Sequence, residues 1–124
     1  MVAIGKSLED YLEAIYRIAK EKGTVRSIDV ARYLGFSKPS VSIAVKELKN
    51  RDLIETDENG YLQFTSNGLI EADKIFERHT FFKNMLIKCG VNDLLAEQDA
   101  CKLEHDISDE SFQKLKETYI KNHE

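Results

Sequence analysis

The chain has 124 residues, of which 42% are hydrophobic and 32% are charged, and its formal net charge is −4. These values are typical of a soluble globular protein of one domain or two small subdomains, and two cysteines, Cys89 and Cys101, are too few for a disulfide scaffold. Because no apolar run approaches the roughly 20 residues of a membrane span and Met1 to Lys6 contain no signal-peptide core, we expect a cytoplasmic protein with no membrane partner.

The N-terminal third predicts two helices. Apolar residues recur at helical spacing from about Leu8 to Lys22, with Ser7 as the expected N-cap and Gly23 as the end of the helix. A second, short helix is expected to begin at Ser27, a cap candidate, and to end at Gly35.

A third helix follows a tight turn of three residues. Ser37 is the expected N-cap, and Pro39 is tolerated in the first turn because no backbone donor is needed there. Helical spacing assigns three residues to the buried face: Val41, Val45 and Leu48.

The pattern then changes to that of a hairpin. Asn59-Gly60 is a strong hairpin turn signal, and it is flanked by Ile54–Thr56 and Tyr61–Phe64, which alternate as strands do. We expect a two-stranded wing.

The rest of the chain predicts three more helices. The fourth should run from Thr65 or Ser66 to near Gly90, the fifth from about Asp93 to His105, and the sixth from Ser108. The chain is therefore expected to be mostly α.

The order helix, short helix, turn, helix, hairpin predicts a winged helix-turn-helix over residues 1–68, followed by a helical domain over residues 69–124. The segment from Gly23 to Ile54 contains six basic and three acidic residues, whereas the segment after Gly68 contains eight basic and twelve acidic residues. This uneven charge favours DNA binding by the first part. Small polar and basic residues around the third helix are the expected contacts to phosphates and base edges in double-stranded DNA: Arg26, Ser37, Lys38, Pro39, Ser40, Ser42, Lys46 and Lys49.

Six further side chains offer donors for a metal ion: Asp10, Glu13, His79, Cys101, Glu104 and His105. The first two lie at i, i+3 on one helix, and the last three share one face of another. Oxygen and nitrogen donors favour manganese or iron, whereas a thiolate favours softer ions. Spacing alone also permits a plainer interpretation, with the acids on a solvated face and Cys101 as a small buried residue.

Several segments resemble the diphtheria-toxin-repressor family, with the manganese transport regulators as the closest kin. Among these segments are Ser7–Tyr16, Ser37–Ser42, Leu62–Thr65, Arg78-His79 and Asp99–His105, and the resemblance extends from about Ser7 to Leu115. It implies a winged helix followed by a helical metal-binding and dimerisation domain, and it implies that the six donors are the metal ligands.

The candidate ligands combine residues typical of two types of family member. Asp10 and Glu13 match the manganese-type members, whereas Cys101 matches the iron-type members, so the resemblance implies Mn(II) or Fe(II), with Co, Zn and Cd as further divalent candidates. An ancillary iron-type site looks incomplete, because Lys83 stands where those members have a carboxylate and Glu97 replaces a histidine.

We therefore expect a metal-dependent repressor of metal-uptake genes that binds operator DNA as a homodimer and has no small-molecule substrate. Apolar residues of the last three helices are the expected dimer contacts: Phe81, Leu94, Leu95, Phe112 and Leu115.

Three alternatives stay open at this point. A winged-helix regulator sensing an organic ligand or redox state through Cys101 is the nearest. A protein-interaction module would show no salt-dependent DNA affinity. A metalloenzyme using Glu104 and His105 is disfavoured, since the chain contains no nucleophile elbow, phosphate loop or HExxH motif, and we expect no enzyme.

Overall fold

The structure, a computed structural model, describes residues 6–122, with side chains from residue 7 onwards. The chain divides into two compact units on either side of the Lys74–Ile75 bond. The predicted boundary after residue 68 stays a prediction, and most of Met1 to Lys6, on which the expectation of no signal peptide rests, lies outside the described residues. None of the described helices is long and apolar enough to cross a membrane.

The first helix, α1, spans Lys6–Lys22 and ends at Gly23, which adopts a φ of +88°. Its apolar stripe buries Leu12 and Ile15 in the core of the first unit. The predicted cap at Ser7 is wrong, because Ser7 already lies within the helix.

The short helix α2 spans Ser27–Leu34. The prediction that Ser27 caps it is wrong, because Ser27 is its first helical residue and Arg26 is the cap. The Arg26 backbone N–H donates to Asp29 Oδ2 at 2.9 Å, so a carboxylate in the first turn satisfies this donor. Gly35 ends α2 in the left-handed conformation, as predicted, with a φ of 70°.

Helix α3 spans Lys38–Asn50 and begins as the sequence predicts. Ser37 Oγ accepts the backbone N–H of Ser40 at 3.3 Å, and Pro39 lies in the first turn. The predicted buried face is confirmed, with Ala44 in addition: Val41, Ala44, Val45 and Leu48.

The wing consists of β1, Ile54–Thr56, and β2, Leu62–Phe64, paired antiparallel with Glu55 opposite Gln63. A five-residue loop joins them, so Asn59-Gly60 is not a two-residue turn. Asp57 Oδ1 accepts the backbone N–H groups of Asn59 and Tyr61 and so closes the loop.

Helix α4 spans Ser66–Lys88, and Thr65 Oγ1 accepts the Gly68 N–H at 3.0 Å, as an N-cap does. Gly68 is buried, and a Cβ at this position would overlap the carbonyl group of Leu53. Only glycine permits this close approach of α4 to the backbone that precedes β1.

Helix α5 spans Asp93–Leu103, capped by Asn92, whose Oδ1 accepts the Leu95 N–H. It ends two residues earlier than predicted, so Glu104 and His105 lie in the turn that follows. Helix α6 spans Asp109–Asn122, and Ser108 Oγ accepts the Ser111 N–H at its start.

The second unit has an aromatic core. Phe82, Ala100 and Phe112 are buried together, and Phe81 packs against them. The prediction that Phe112 is a dimer contact is therefore wrong: it is 2% exposed, because its ring fills the unit's own core. The ring of Phe81 also packs edge-on against that of Phe112. Three other predicted contacts are exposed, and their role stays a prediction: Leu94, Leu95 and Leu115.

Candidate metal centre and nucleic-acid interface

Three of the six predicted donors meet in the second unit. His79 comes from the middle of α4, Cys101 from the last turn of α5, and Glu104 from the residue after α5. One donor atom of each lies within 4.8 Å of the others. His79 Nδ1 lies 2.9 Å from Glu104 Oε2 and 3.7 Å from Cys101 Sγ.

This group is buried and chemically suited to a metal ion. His79 is 3% exposed and Glu104 is 1% exposed. Glu104 Oε1 is buried and accepts no hydrogen bond of good geometry from the described residues, although His105 Nε2 lies 3.3 Å away. A buried carboxylate oxygen is costly unless a cation or a donor compensates it. One nitrogen, one sulfur and one oxygen donor together fit a divalent first-row transition metal.

The pKa of His79 departs strongly from its ordinary value of 6.5. Burial alone lowers this pKa, but hydrogen bonds with Cys101, Glu104 and Glu97, and the charge of Glu104, raise it to about 10. The metal-free imidazole therefore carries a proton on both nitrogens, and an ion that binds one nitrogen must displace the proton there.

His105 lies next to this group but outside it. Its Nε2 atom is 3.3 Å from Glu104 Oε1, and its side chain is buried. Because α5 ends at Leu103, His105 does not continue the helical face that carries Cys101.

Asp10 and Glu13 lie on α1 in the other compact unit. Both are partly buried, and Glu13 Oε2 lies 3.8 Å from Arg17 Nη2. Their membership of a six-residue metal site stays a prediction.

Arg78 is a residue whose role the sequence analysis missed. It is 9% exposed, and its guanidinium donates to the backbone oxygens of Ile107, at 2.6 Å, and Glu104, at 3.4 Å, and pairs with Asp109. It thus fixes the turn on which Glu104 and His105 lie. The available signal was an arginine directly before His79, one of the six candidate metal ligands.

The predicted DNA-contacting residues are all exposed in the first unit. Six of them belong to α3: Lys38, Pro39, Ser40, Ser42, Lys46 and Lys49. Ser37 caps this helix, and its hydroxyl also donates to Ser40 Oγ at 2.9 Å. Arg26 stacks on the Tyr61 ring in the wing loop, with 4.3 Å from Cζ to the ring centroid, so its side chain is held beside the wing.

Ile43 is a second residue that the sequence analysis missed. It is 73% exposed on α3, between Ser42 and Lys46 in a helix whose other large apolar side chains are buried. An exposed isoleucine on the helix expected to enter the major groove offers an apolar contact to DNA. The available signal was an apolar residue at a position of α3 that the helical spacing of the buried face leaves exposed.

Two family models match consecutive parts of the chain. The model described as "Iron dependent repressor, N-terminal DNA binding domain" matches residues 3–64. The model described as "Iron dependent repressor, metal binding and dimerisation domain" matches residues 65–121. Together they cover nearly the whole sequence.

Individual proteins agree with these matches. The chain is 32% identical over 115 residues to an uncharacterised HTH-type transcriptional regulator of Methanocaldococcus jannaschii, with 91% of this chain and 92% of the relative covered. It is 34% identical over 105 residues to the transcriptional regulator MntR of Escherichia coli O6:H1, with 85% and 68% covered.

A solved structure, that of the manganese regulator SloR, superposes with a TM-score of 0.78 and 26% identity over 95% of this chain and 54% of that chain. The chain thus spans about half the length of that solved structure. Members of the matched family are transcriptional regulators rather than enzymes, in agreement with the expectation from the sequence. The chain belongs to the iron-dependent repressor family of metal-dependent transcriptional regulators, which includes the diphtheria-toxin-repressor and manganese-transport-regulator types.

Proposed function

We propose that this protein is a cytoplasmic repressor that binds operator DNA as a homodimer when it is loaded with Mn(II) or Fe(II). Metal-uptake genes are the expected targets. Other divalent transition ions, including Co, Zn and Cd, are expected to compete for the same site because they accept the same donor types.

One observation carries this proposal: the close approach of His79, Cys101 and Glu104, in the part of the chain that matches the metal binding and dimerisation domain. A buried histidine and carboxylate beside a partly buried thiol, with one donor atom of each within 4.8 Å of the others, are an unusual arrangement for a purely structural core, because burying charge is costly. A bound cation would compensate the charge of the buried carboxylate.

The comparisons and the donor chemistry each support both Mn(II) and Fe(II) as the bound ion. The family model is described as that of an iron-dependent repressor, and SloR is described as a manganese regulator. The thiol of Cys101 favours iron and softer ions, whereas the oxygen donors favour manganese. We keep Asp10, Glu13 and His105 in the proposed ligand set on the strength of the sequence.

The DNA-binding part of the proposal rests on α3. Its N-terminal turn exposes Lys38, Ser40 and Ser42, and free backbone N–H groups at a helix N-terminus attract phosphates. Lys46 and Lys49 add positive charge along the same helix, which favours sequence-independent attraction to the DNA backbone.

If donors from both units bind the same ion, metal and DNA binding become thermodynamically coupled. Metal would then favour the arrangement in which the recognition helices of a dimer fit two successive turns of the major groove, roughly 34 to 36 Å apart. The coupling is reciprocal, so operator DNA should tighten metal binding by the same factor, with about 1.4 kcal/mol for each tenfold change.

The test is fluorescence anisotropy with a library of labelled duplexes, first with chelator and then with Mn(II) or Fe(II) under anaerobic conditions. We expect sequence-selective binding only with metal. His79→Gln and Glu104→Gln, which keep the side-chain volume roughly constant, should lose this response. Glu117→Gln, at an exposed position of α6, should keep it. Equal binding with and without metal would refute the proposal.

A second candidate, redox or organic-ligand sensing through Cys101, has one observation in its favour. Cys101 Sγ lies 3.7 Å from His79 Nδ1, so this partly buried thiol has a polar partner in direct contact. A peroxide would convert this thiol to a sulfenic acid and release water. This candidate predicts that the protein, kept free of metal by a chelator, loses DNA binding when it is oxidised. It also predicts that added metal does not change DNA binding.

A further inference from the structure

The outer nitrogen of His79 makes its own set of contacts, away from Cys101 and Glu104. His79 Nε2 lies 2.9 Å from Glu97 Oε2, an atom on α5, one turn before Cys101. The same oxygen lies 3.1 Å from Lys83 Nζ, on α4, one turn after His79. One carboxylate oxygen therefore lies within ion-pair distance of both the imidazole and the ammonium group.

We propose that Glu97 is a positioning residue for the metal centre: held by Lys83, it accepts the Nε2 hydrogen of His79 and directs Nδ1 toward Cys101 and Glu104. This inference rests on the proposed metal site. The two nitrogens of an imidazole point in divergent directions, so a hydrogen bond at one fixes which nitrogen can bind an ion. A carboxylate behind a metal-binding histidine also makes the ring a stronger ligand.

Lys83 gives this arrangement a fixed cation. The side chains of Glu97 and Lys83 are 32% and 35% exposed, whereas that of His79 is 3% exposed, so the pair closes the site at its border with solvent. The Lys83 ammonium neutralises Glu97 and repels a second cation from the outer face of the ring. An ion should therefore bind on the Nδ1 side and not between His79 and Glu97.

The first part of the test measures the affinity for Co(II), by competition with a chromophoric chelator under anaerobic conditions. Glu97→Ala should weaken binding by about tenfold to a hundredfold, the range for the loss of a hydrogen-bond partner of a metal ligand. Glu97→Gln should restore most of the affinity, since its amide oxygen can still accept the Nε2 hydrogen. Glu117→Ala, at an exposed position of α6, is the matched control and should bind Co(II) as the wild type does.

The second part observes the ring itself by ¹⁵N NMR of the histidine side chains in the Zn(II)-loaded protein. We expect a protonated Nε2 and a metal-bound Nδ1 at His79 in the wild type, and a mixture of both forms in Glu97→Ala. Thermal unfolding of the metal-free variants shows whether they fold. Unchanged Co(II) affinity in a folded Glu97→Ala variant, or a metal-bound Nε2 in the wild type, would overturn the inference.

A third measurement separates this inference from the proposed function. In the metal-free protein the Nε2 hydrogen of His79 should exchange slowly with solvent in the wild type and rapidly in Glu97→Ala. If the wild type binds no divalent ion, the proposed function fails. Equally rapid exchange in both proteins would instead show that Glu97 does not hold the ring.

Discussion

Cys101 Sγ lies 3.7 Å from His79 Nδ1, the same ring nitrogen that meets the Glu104 carboxylate. A sulfur donor at this point favours iron, cobalt or zinc over manganese, whereas a carboxylate weakens that preference. We predict that Cys101→Glu raises the affinity for Mn(II) relative to Fe(II) by about tenfold or more. Anaerobic titrations of both ions with the parent and the variant measure this ratio.

The second cysteine provides the matched control. Cys89 is exposed just after the end of α4, so Cys89→Ser should leave the ratio of the two affinities unchanged. If Cys101→Glu also left the ratio unchanged, Cys101 would not be a ligand of the ion.

Ile43 provides a prediction about base reading. Since it is 73% exposed on α3 and an apolar side chain in the major groove contacts the thymine methyl group, we expect Ile43 to favour thymine within each half-site. Ile43→Ala should lower the discrimination between thymine and other bases at that position by about 1 kcal/mol or more. The fold should stay intact, because the side chain is mainly exposed to solvent.

The measurement replaces each thymine of a selected operator by uracil, which lacks only the 5-methyl group. Wild-type affinity should fall at one position in each half-site, and the Ile43→Ala variant should be insensitive there. Lys46→Ala is the control, since loss of a phosphate contact weakens all sequences about equally. If no replacement of thymine by uracil changed the affinity of the wild type, the prediction would be contradicted.

Much of the fold could be predicted because local signals and tertiary packing agree. Ser37, Asn92 and Ser108 cap helices as their residue types suggest, and Gly35 and Gly23 end helices in left-handed conformations. Ser7 and Ser27 failed as caps for a physical reason: a serine caps a helix only where the backbone leaves the helix, and neighbouring residues decided where that occurs.

The site could be predicted less completely. The resemblance and the spacing of Cys101 and Glu104 made both residues candidate ligands, but only the packing of α4 on α5 brings His79 to them. The end of α5 at Leu103 and the fixing of the following turn by Arg78 depend on contacts between residues about 26 to 31 positions apart. No local pattern carries that information.

Arg78 should control both stability and metal affinity. Its guanidinium donates to the backbone oxygens of Glu104 and Ile107, and Arg78→Met would leave these oxygens without that partner. A buried group that loses its hydrogen bond costs about 1 to 3 kcal/mol, so we expect a loss of about 2 kcal/mol or more in the free energy of unfolding. Urea denaturation of the metal-free protein measures this loss.

The same variant should bind Co(II) more weakly, because the turn that presents Glu104 is then less restrained. Lys102→Met, whose parent side chain is 76% exposed on α5, is the control and should change neither property. A stable Arg78→Met protein with unaltered Co(II) affinity would show that Arg78 does not organise this turn.

Asp29 should make the stability of the first unit depend on acid pH. Its hydrogen bond with Lys22, at 2.8 Å, and then that with the Arg26 backbone N–H lower the pKa of this carboxyl below its ordinary value of 3.8. A lowered pKa in the folded state means that the contribution is complete above the unfolded value and is lost as pH falls through the folded value. Asp29→Asn should therefore destabilise the first unit near neutral pH by up to about 1 kcal/mol, because the amide still offers an oxygen to the Arg26 N–H but loses the charge that attracts Lys22.

The difference between Asp29→Asn and the wild type should shrink as pH falls, and the two should become equally stable once the carboxyl is protonated. Urea unfolding followed by circular dichroism, repeated from about pH 7 down to about pH 2, measures it. Asp106→Asn, at an exposed position after α5, controls for the general effect of removing one charge. The difference in the free energy of unfolding could instead stay constant over the whole pH range. Asp29 would then stabilise α2 through its shape alone, because an effect of its charge is lost when the carboxyl is protonated.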